Sequence, residues 1–213
     1  MFRFHHRLTG VGLLLAAAVT LTGCSVDGAA AGSATSSRAP GAATSQKAEP
    51  QPSALPSPGS VLPVPEQLPP IEAGIEIAFV IAEGTDDVIP DAVEKAAASV
   101  DASVDVVTSG PSDVVTDLVD AAEGSDVVLV CGADLLVSLD AVSSQILDAQ
   151  FVVLGAQLPE PTGNVTAVVW PGADARHAGS PASDDLVNRV PTALEAGLAL
   201  SGDGGAGMVY ELP

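Results

Sequence analysis

Short apolar runs alternate with longer amphipathic stretches along the second half of the chain. The short runs are rich in Val and Ile, and several are apolar at consecutive positions rather than at every second one. Consecutive apolar positions are typical of strands that are covered on both faces. The pattern predicts five such strands, at Ile75–Ala82, Ser103–Ser109, Asp126–Gly132, Gln150–Gly155 and Asn164–Trp170.

Apolar residues at helical spacing lie between these strands and after the last of them. Four stripes predict four helices, and Pro191 either kinks the fourth helix or belongs to its first turn. A final apolar run at Gly207–Leu212 predicts one more strand. The four stripes run over Ala92–Val100, Val114–Ala122, Leu135–Ile146 and Leu186–Leu198.

The order of these elements predicts an α/β fold over residues 71–213. Strands that alternate with helices form a mostly parallel sheet with helices on both faces, which is a Rossmann-like three-layer sandwich. One connection fits this scheme poorly, because only Ala156–Gly163 joins the fourth and fifth strands. Either that loop crosses the end of the sheet, or the fifth strand runs antiparallel.

Residues 25–70 have a different composition. Ala, Gly, Ser, Thr and Pro predominate there, and the stretch has neither an aromatic residue nor an apolar period. Such a segment buries too little surface to offset its ordering entropy. We therefore predict a disordered tether in front of the α/β domain.

The first 24 residues have the three parts of an export signal. Met1–Arg7 is positively charged, Leu8–Leu21 is uncharged and mostly apolar, and small residues then lead to Cys24. The ending Leu21-Thr22-Gly23-Cys24 resembles the lipobox of bacterial lipoproteins. That resemblance implies cleavage before Cys24, diacylglycerol on its sulfur, and palmitate-like acyl chains that anchor the protein to the extracytoplasmic face of the cell membrane. An ordinary secretory signal with a chance cysteine is the alternative.

The charge of the chain excludes some partners. The net charge is −20, and the chain from Ile71 onward contains 24 acidic residues but only three basic ones. Such a surface repels phosphate backbones, so we expect no nucleic-acid partner. No acidic loop has the ligand spacing of a metal site, and no glycine-rich loop for a nucleotide or nucleophile–base set is present, so neither metal, cofactor nor enzyme activity is predicted. Cys131 ends an apolar run and is interpreted as a small buried hydrophobic residue.

The order and spacing of the elements resemble the first lobe of the basic membrane protein family. The stretches that carry the resemblance are "DVVLVCG", "FVVLG" and "NVTAVVW", each followed by its loop or helix, together with "EAGLAL" near the end. The family's members are lipid-anchored, purine-nucleoside-binding proteins of ABC importers, within the type I periplasmic binding proteins. The resemblance implies a ligand-binding lobe, although the loop after the first strand lacks the aromatic residue that the family uses to hold a base.

Open α/β sheets bind ligands beyond the carboxyl ends of their strands. Asp86 and Asp87 follow the first predicted strand and are candidates to accept hydrogen bonds from a ligand, with helix capping as the alternative. Asp134 follows the third strand and has the same two interpretations. Gln157 follows the fourth strand, and Trp170 would either stack on a base or pack in the core.

Two functions follow from the sequence. The first is a small-molecule binding or accessory component of an ABC uptake system, which would need a permease and a second lobe from a homodimer or another chain. The second is a non-catalytic interaction or structural module of the cell envelope that has lost ligand binding. An exposed apolar surface where a second lobe would dock favours the first, and a wholly acidic surface there would indicate a free-standing monomer.

Overall fold

The computed structural model describes residues 56–177, 185–202 and 207–213. The predicted export signal, the lipidation site Cys24 and the tether as far as residue 55 lie outside the described residues. Within them, seven strands and four helices form one α/β unit. The strands are β1 (Val61–Pro63), β2 (Glu76–Ala82), β3 (Ser103–Ser109), β4 (Val127–Cys131), β5 (Gln150–Leu154), β6 (Val165–Val169) and β7 (Val209–Glu211), and the helices are α1 (Val88–Ser99), α2 (Val114–Gly124), α3 (Leu136–Ser143) and α4 (Leu186–Gly202).

The strands form a single sheet in the order β1-β7-β6-β5-β4-β2-β3. Every pair of neighbouring strands is parallel. The β3-β2-β4-β5-β6 portion has the 2-1-3-4-5 order of doubly wound, flavodoxin-like sheets. The predicted α/β three-layer sandwich is therefore confirmed.

Helices cover both faces of this sheet. On one face, α1 and α4 pack over Phe79, Leu129 and Leu154. On the other face, α2 and α3 pack over Val80 and Val153. Neighbouring strand residues point to opposite faces, so both sets of side chains are buried and the strands are apolar at consecutive positions.

The fifth predicted strand, β6, runs parallel to β5, with Phe151 opposite Val165. The antiparallel alternative is therefore wrong, and the connection crosses the sheet without a helix. Its residues Ala156 and Leu158 are fully buried in the cluster beneath α2 and α3. The buried loop thus takes the place of a crossover helix.

The tether was predicted to extend to Pro70, but residues 56–70 are part of the fold. Val61 pairs with Val209 in the edge strand β1, and Leu62, Val64 and Leu68 pack against the core. Proline is compatible with an edge strand because one side of that strand needs no backbone donor. The Pro-rich composition therefore concealed a short strand and shifted the predicted boundary too far along the chain.

Candidate functional site

The carboxyl ends of β2 and β4 form the switch point of the sheet. These two strands pair directly, with Ile77 opposite Val127. The chain leaves β2 towards α1 on one face and leaves β4 towards α3 on the other. The two connections therefore separate and leave a crevice at this edge, which is where ligands of doubly wound sheets bind.

Asp86 and Asp87 lie at this crevice and are exposed. One carboxylate oxygen of Asp86 accepts a hydrogen bond of 3.2 Å from the backbone N–H of Val88, the first residue of α1. Asp86 therefore performs the capping role that was its alternative interpretation. Asp87 makes no side-chain capping bond to α1, so its carboxylate is available at the edge.

Asp134 stands across the crevice, in the turn between β4 and α3. It follows Gly132, whose φ of 74° opens the turn, and its side chain is exposed. No side chain caps the beginning of α3. The structure therefore brings Asp86, Asp87 and Asp134 to neighbouring loops at one edge.

Gln157 joins two of the loops at this edge. Its side chain is only 4% exposed, and its Nε2 donates a hydrogen bond of 3.2 Å to the carbonyl of Asp174. Its backbone N–H donates to the carbonyl of Ala175 at 2.9 Å. The Oε1 atom is buried and lacks a hydrogen-bond partner among the described residues. In this arrangement Gln157 holds the loops after β5 and β6 together.

Trp170 directly follows β6 and is 1% exposed. Its ring belongs to the core beneath α1 and α4, which also contains Leu186, and lies against Gly155. A Cβ atom on Gly155 would be 3.1 Å from the ring, and the φ of 72° at Gly155 also favours glycine. Because protein covers nearly the whole indole, Trp170 fits the core interpretation and not the base-stacking one.

Four exposed valines surround the same edge of the sheet, and none of them was predicted from the sequence. Each lies in the first turn of a helix: Val88 in α1, Val115 in α2, Val137 in α3 and Val187 in α4. Their exposed fractions are 50%, 50%, 71% and 36%. Because each of these helices follows the carboxyl end of a strand, all four first turns lie at the carboxyl edge of the sheet.

A sequence signal for three of these valines exists. They are the second members of apolar doublets, Val114-Val115, Leu136-Val137 and Leu186-Val187. The first member of each doublet is buried. In the first turn of each helix, one apolar residue is enough to pack against the core. The second, exposed residue of the doublet does not contribute to the fold's own packing and therefore indicates a possible contact surface.

Cys131 is partly buried, so the interpretation as a fully buried hydrophobic residue holds only in part. It ends β4, packs against the α1–α4 side of the core, and burial raises its pKa to about 12. A thiol with such a pKa remains protonated at neutral pH and is a poor nucleophile. Within the described residues, no group of three or more His, Cys, Asp or Glu side chains is arranged to hold a metal ion.

Five surface grooves in the described part of the chain are lined by residues other than Asp86, Asp87, Asp134, Gln157 and Trp170. The crevice is open to solvent, since Asp86, Asp87 and Asp134 are all exposed. No described helix has the length and apolarity needed to cross a bilayer.

The strand order and the crevice define the class of this domain as a single doubly wound α/β lobe. No family model and no curated protein matches the chain. The resemblance to the basic membrane protein family therefore stays a prediction.

Among solved structures, a protein named as a lipoprotein from Peptoclostridium difficile 630 is 15% identical, with a TM-score of 0.43 over 58% of this chain and 94% of that fragment. An ABC transporter system solute-binding protein from Aeropyrum pernix is 17% identical, with a TM-score of 0.39 over 46% of this chain and 29% of that one. RecJ from Thermus thermophilus is 19% identical, with a TM-score of 0.30 over 60% and 17% of the two chains. Likenesses of this size carry no argument, and the fold assignment rests on the strand order above.

Proposed function

We propose that this protein is a lipid-anchored binding lobe on the extracytoplasmic face of a bacterial membrane, and that it serves as a small-molecule binding or accessory component of an ABC uptake system. The proposal rests on the side chains that lie at the carboxyl edge of the sheet. Acceptors for a polar ligand, Asp87 and Asp134, lie there among exposed apolar residues that a second body would cover.

The open crevice explains why a second body is part of the proposal. Ligand sites bury most of the ligand surface, and an edge whose carboxylates are exposed on one lobe does not. A permease, another chain or a second copy would have to close over the ligand. A polar ligand such as a nucleoside, with several hydroxyl and N–H donors, matches the carboxylates at this edge.

Anchoring at Cys24 belongs to the same proposal. Two acyl chains hold a protein at a membrane stably where one chain does not. Cells grown with labelled palmitate should incorporate the label into the wild-type chain, and the Cys24→Ser variant should lose both the label and its sedimentation with membranes. Retention of Cys24→Ser in the membrane fraction would exclude this anchor.

The ligand is tested by thermal unfolding of a soluble form of residues 25–213 against nucleosides, sugars and amino acids. A ligand at 100 times its Kd adds about 2.7 kcal/mol of stability. That gain raises the melting temperature by about 5–10 °C in a domain of this size. The Asp134→Ala variant should lose most of this shift, while Asp140→Ala, which removes an exposed carboxylate elsewhere on α3, should keep it.

The burial of Trp170 favours a second candidate function. Without an exposed aromatic residue at the edge, the lobe lacks the usual platform for a nucleobase. A non-catalytic interaction module of the cell envelope would use the same exposed valines for a protein partner alone. Cooperative unfolding with no shift from any compound in the panel would favour this second function.

A further inference from the structure

An exposed apolar surface on the helical face of α1 and α4 extends away from the carboxyl edge of the sheet and shares Val88 and Val187 with it. We call it the α1–α4 groove, and it has a volume of about 500 Å³. Two of the six large hydrophobic side chains that are exposed in the described residues, Val88 and Val187, lie in it. The groove is lined by Val88, Asp91, Ala92, Lys95, Ala96 and Ser99 of α1 and by Val187 and Pro191 of α4.

The rest of this helical face is covered by the chain itself. Leu68 and Ile71 pack against the core on this side, and the neighbouring surface is formed by Pro69, Val100 at the end of α1, and Glu195 of α4. This segment lies beside the residue that follows α1 and beside the middle of α4. The groove runs along α1 from Val88 to Ser99 and along the first turns of α4, and the segment leaves it open.

Charged side chains in the groove lack partners within the described part of the chain. Lys95 is the only lysine among the described residues, and Asp91 precedes it by one helical turn. Neither side chain forms a hydrogen bond or ion pair with another described residue. Elsewhere in the described part of the chain, Arg189 forms an ion pair with Asp185. Both side chains are exposed beside the apolar surface, so they are available to opposite charges on a second molecule.

The two helical faces differ in charge. Two of the three Lys and Arg residues described, Lys95 and Arg189, belong to α1 and α4. With their acids Asp91, Glu94 and Glu195, α1 and α4 have a net charge of −1. The opposite helices α2 and α3 carry four acids and no basic residue, for a net charge of −4: Asp117, Asp120, Glu123 and Asp140. Like charges repel, so a second copy of this acidic chain would approach through α1 and α4 and not through α2 and α3.

We propose that the α1–α4 groove binds a second copy of this chain in a two-fold symmetric dimer. A two-fold axis at the level of residue 93, midway between Asp91 and Lys95, makes the two α1 helices antiparallel, places Asp91 of each copy against Lys95 of the other, and leaves Ala92 of both copies beside the axis. The small side chain of Ala92, which is partly exposed, lets the helices approach closely. Val88 and Val187 become covered at either end of the contact.

The dimer is expected to be weak. The groove has eight lining residues, fewer than the roughly 20–30 residues per side of a standard interface. Repulsion between the two acidic domains is limited because charges more than about 8 Å apart are screened at physiological ionic strength. Attachment to one membrane would raise the effective concentration of the copies and so promote dimer formation.

The test is disulfide cross-linking of the full chain in cell membranes. The Ala92→Cys variant, oxidised with copper phenanthroline, should form a covalent dimer, because two Cys residues beside the axis face each other. The wild-type chain and the Thr116→Cys variant, which places a cysteine on the exposed side of α2, should remain monomeric under the same oxidant. A monomeric Ala92→Cys variant would overturn the proposal.

Charge reversal tests the pairing itself in the Ala92→Cys background. Lys95→Asp alone and Asp91→Lys alone should each lower the cross-linked fraction about tenfold, since each places like charges together at two contacts. The double variant Asp91→Lys/Lys95→Asp restores both opposite-charge pairs and should restore cross-linking. Equal cross-linking in all three variants, or no recovery in the double variant, would contradict the proposed pairing.

Discussion

Thr166 has a hydroxyl group for which the described part of the fold provides no partner. The residue is fully buried in β6, and its Oγ1 lacks a hydrogen bond among the described residues. Thr166→Val keeps the shape and removes the unsatisfied group, so we expect the free energy of unfolding to rise by about 1 kcal/mol. Urea denaturation measures the change. Thr85→Val is the matched control and should lower stability, since the Thr85 hydroxyl donates to the Ala82 carbonyl at 2.8 Å.

Cys131 predicts a dependence of stability on pH. Its folded pKa is raised to about 12 by burial, whereas a free thiol in the unfolded chain titrates near ~8.5. Above the unfolded pKa the unfolded state binds fewer protons, so the thiol's contribution is complete below that pH and is lost as pH rises towards 12. The stability difference between the wild type and Cys131→Ala should therefore fall from pH 8 to pH 11.

Thiol labelling provides an independent reading of the same residue. In the Cys24→Ser variant, Cys131 is the one remaining cysteine. It should react with a disulfide reagent slowly in the folded protein at pH 8 and rapidly in urea. Fast labelling of the folded protein at that pH would show that the thiol is accessible and ionised.

Asn164 shows what sequence patterns cannot reveal about single residues. Its Nδ2 donates to the carbonyls of Ser143, Ile146 and Ala149 at 3.3, 2.9 and 3.0 Å. These bonds tie the end of α3 and the following turn to the start of β6. Asn164 was predicted only as the first residue of a strand, because a contact with residues 15 to 21 positions away leaves no local pattern.

Gly197 determines how closely α4 approaches the sheet. A Cβ atom at this position would lie 2.7 Å from Cγ1 of Val152, a β-branched side chain with little freedom to move. We expect Gly197→Ala to lower the free energy of unfolding by about 1–3 kcal/mol, although alanine favours helices by about 1 kcal/mol over glycine. Gly124→Ala, at the open end of α2, should be neutral or stabilising. A stable Gly197→Ala protein would contradict the close packing of α4.

At the scale of elements, the strands and helices with a clear hydrophobic periodicity were predicted from the sequence. Six of the seven strands and all four helices were expected, because buried strands and amphipathic helices leave strong periods of two kinds. Strand β1 was missed because its three residues are surrounded by proline and are held in place by Val209 and Glu211, far along the chain. The direction of β6 was also open, since only the buried loop around Leu158 makes a short parallel crossover feasible.

The sequence predicted where the candidate site lies in the fold, but not which of its side chains are exposed. The topology rule placed Asp86, Asp87 and Asp134 at one edge, where the structure has them. The rule carries no information on accessibility, so it treated buried Trp170 and Gln157 like the exposed carboxylates. Burial of these two side chains results from the packing of whole loops and helices, which residue order does not specify.

Exposed apolar groups are distributed unevenly over the described lobe. Four of the six large ones lie at the carboxyl edge of the sheet, and two of these four also line the α1–α4 groove. On a highly charged protein, clusters of uncovered apolar positions mark candidate contact surfaces, whereas single ones such as Leu147 do not. The lobe therefore has two proposed contact surfaces, one for ligand and transport partner and one for a second copy, which share Val88 and Val187.

The most direct test of the functional edge is solute uptake by cells that lack the wild-type chain and carry single variants. Val137→Asp places a charge on the most exposed valine of the edge, and Leu147→Asp does the same to a side chain of similar exposure, 63%, just beyond α3. We predict that Leu147→Asp supports uptake of nucleosides as the wild type does, and that Val137→Asp does not. Equal uptake with both variants, at matched protein levels, would contradict a functional role for the carboxyl edge of the sheet.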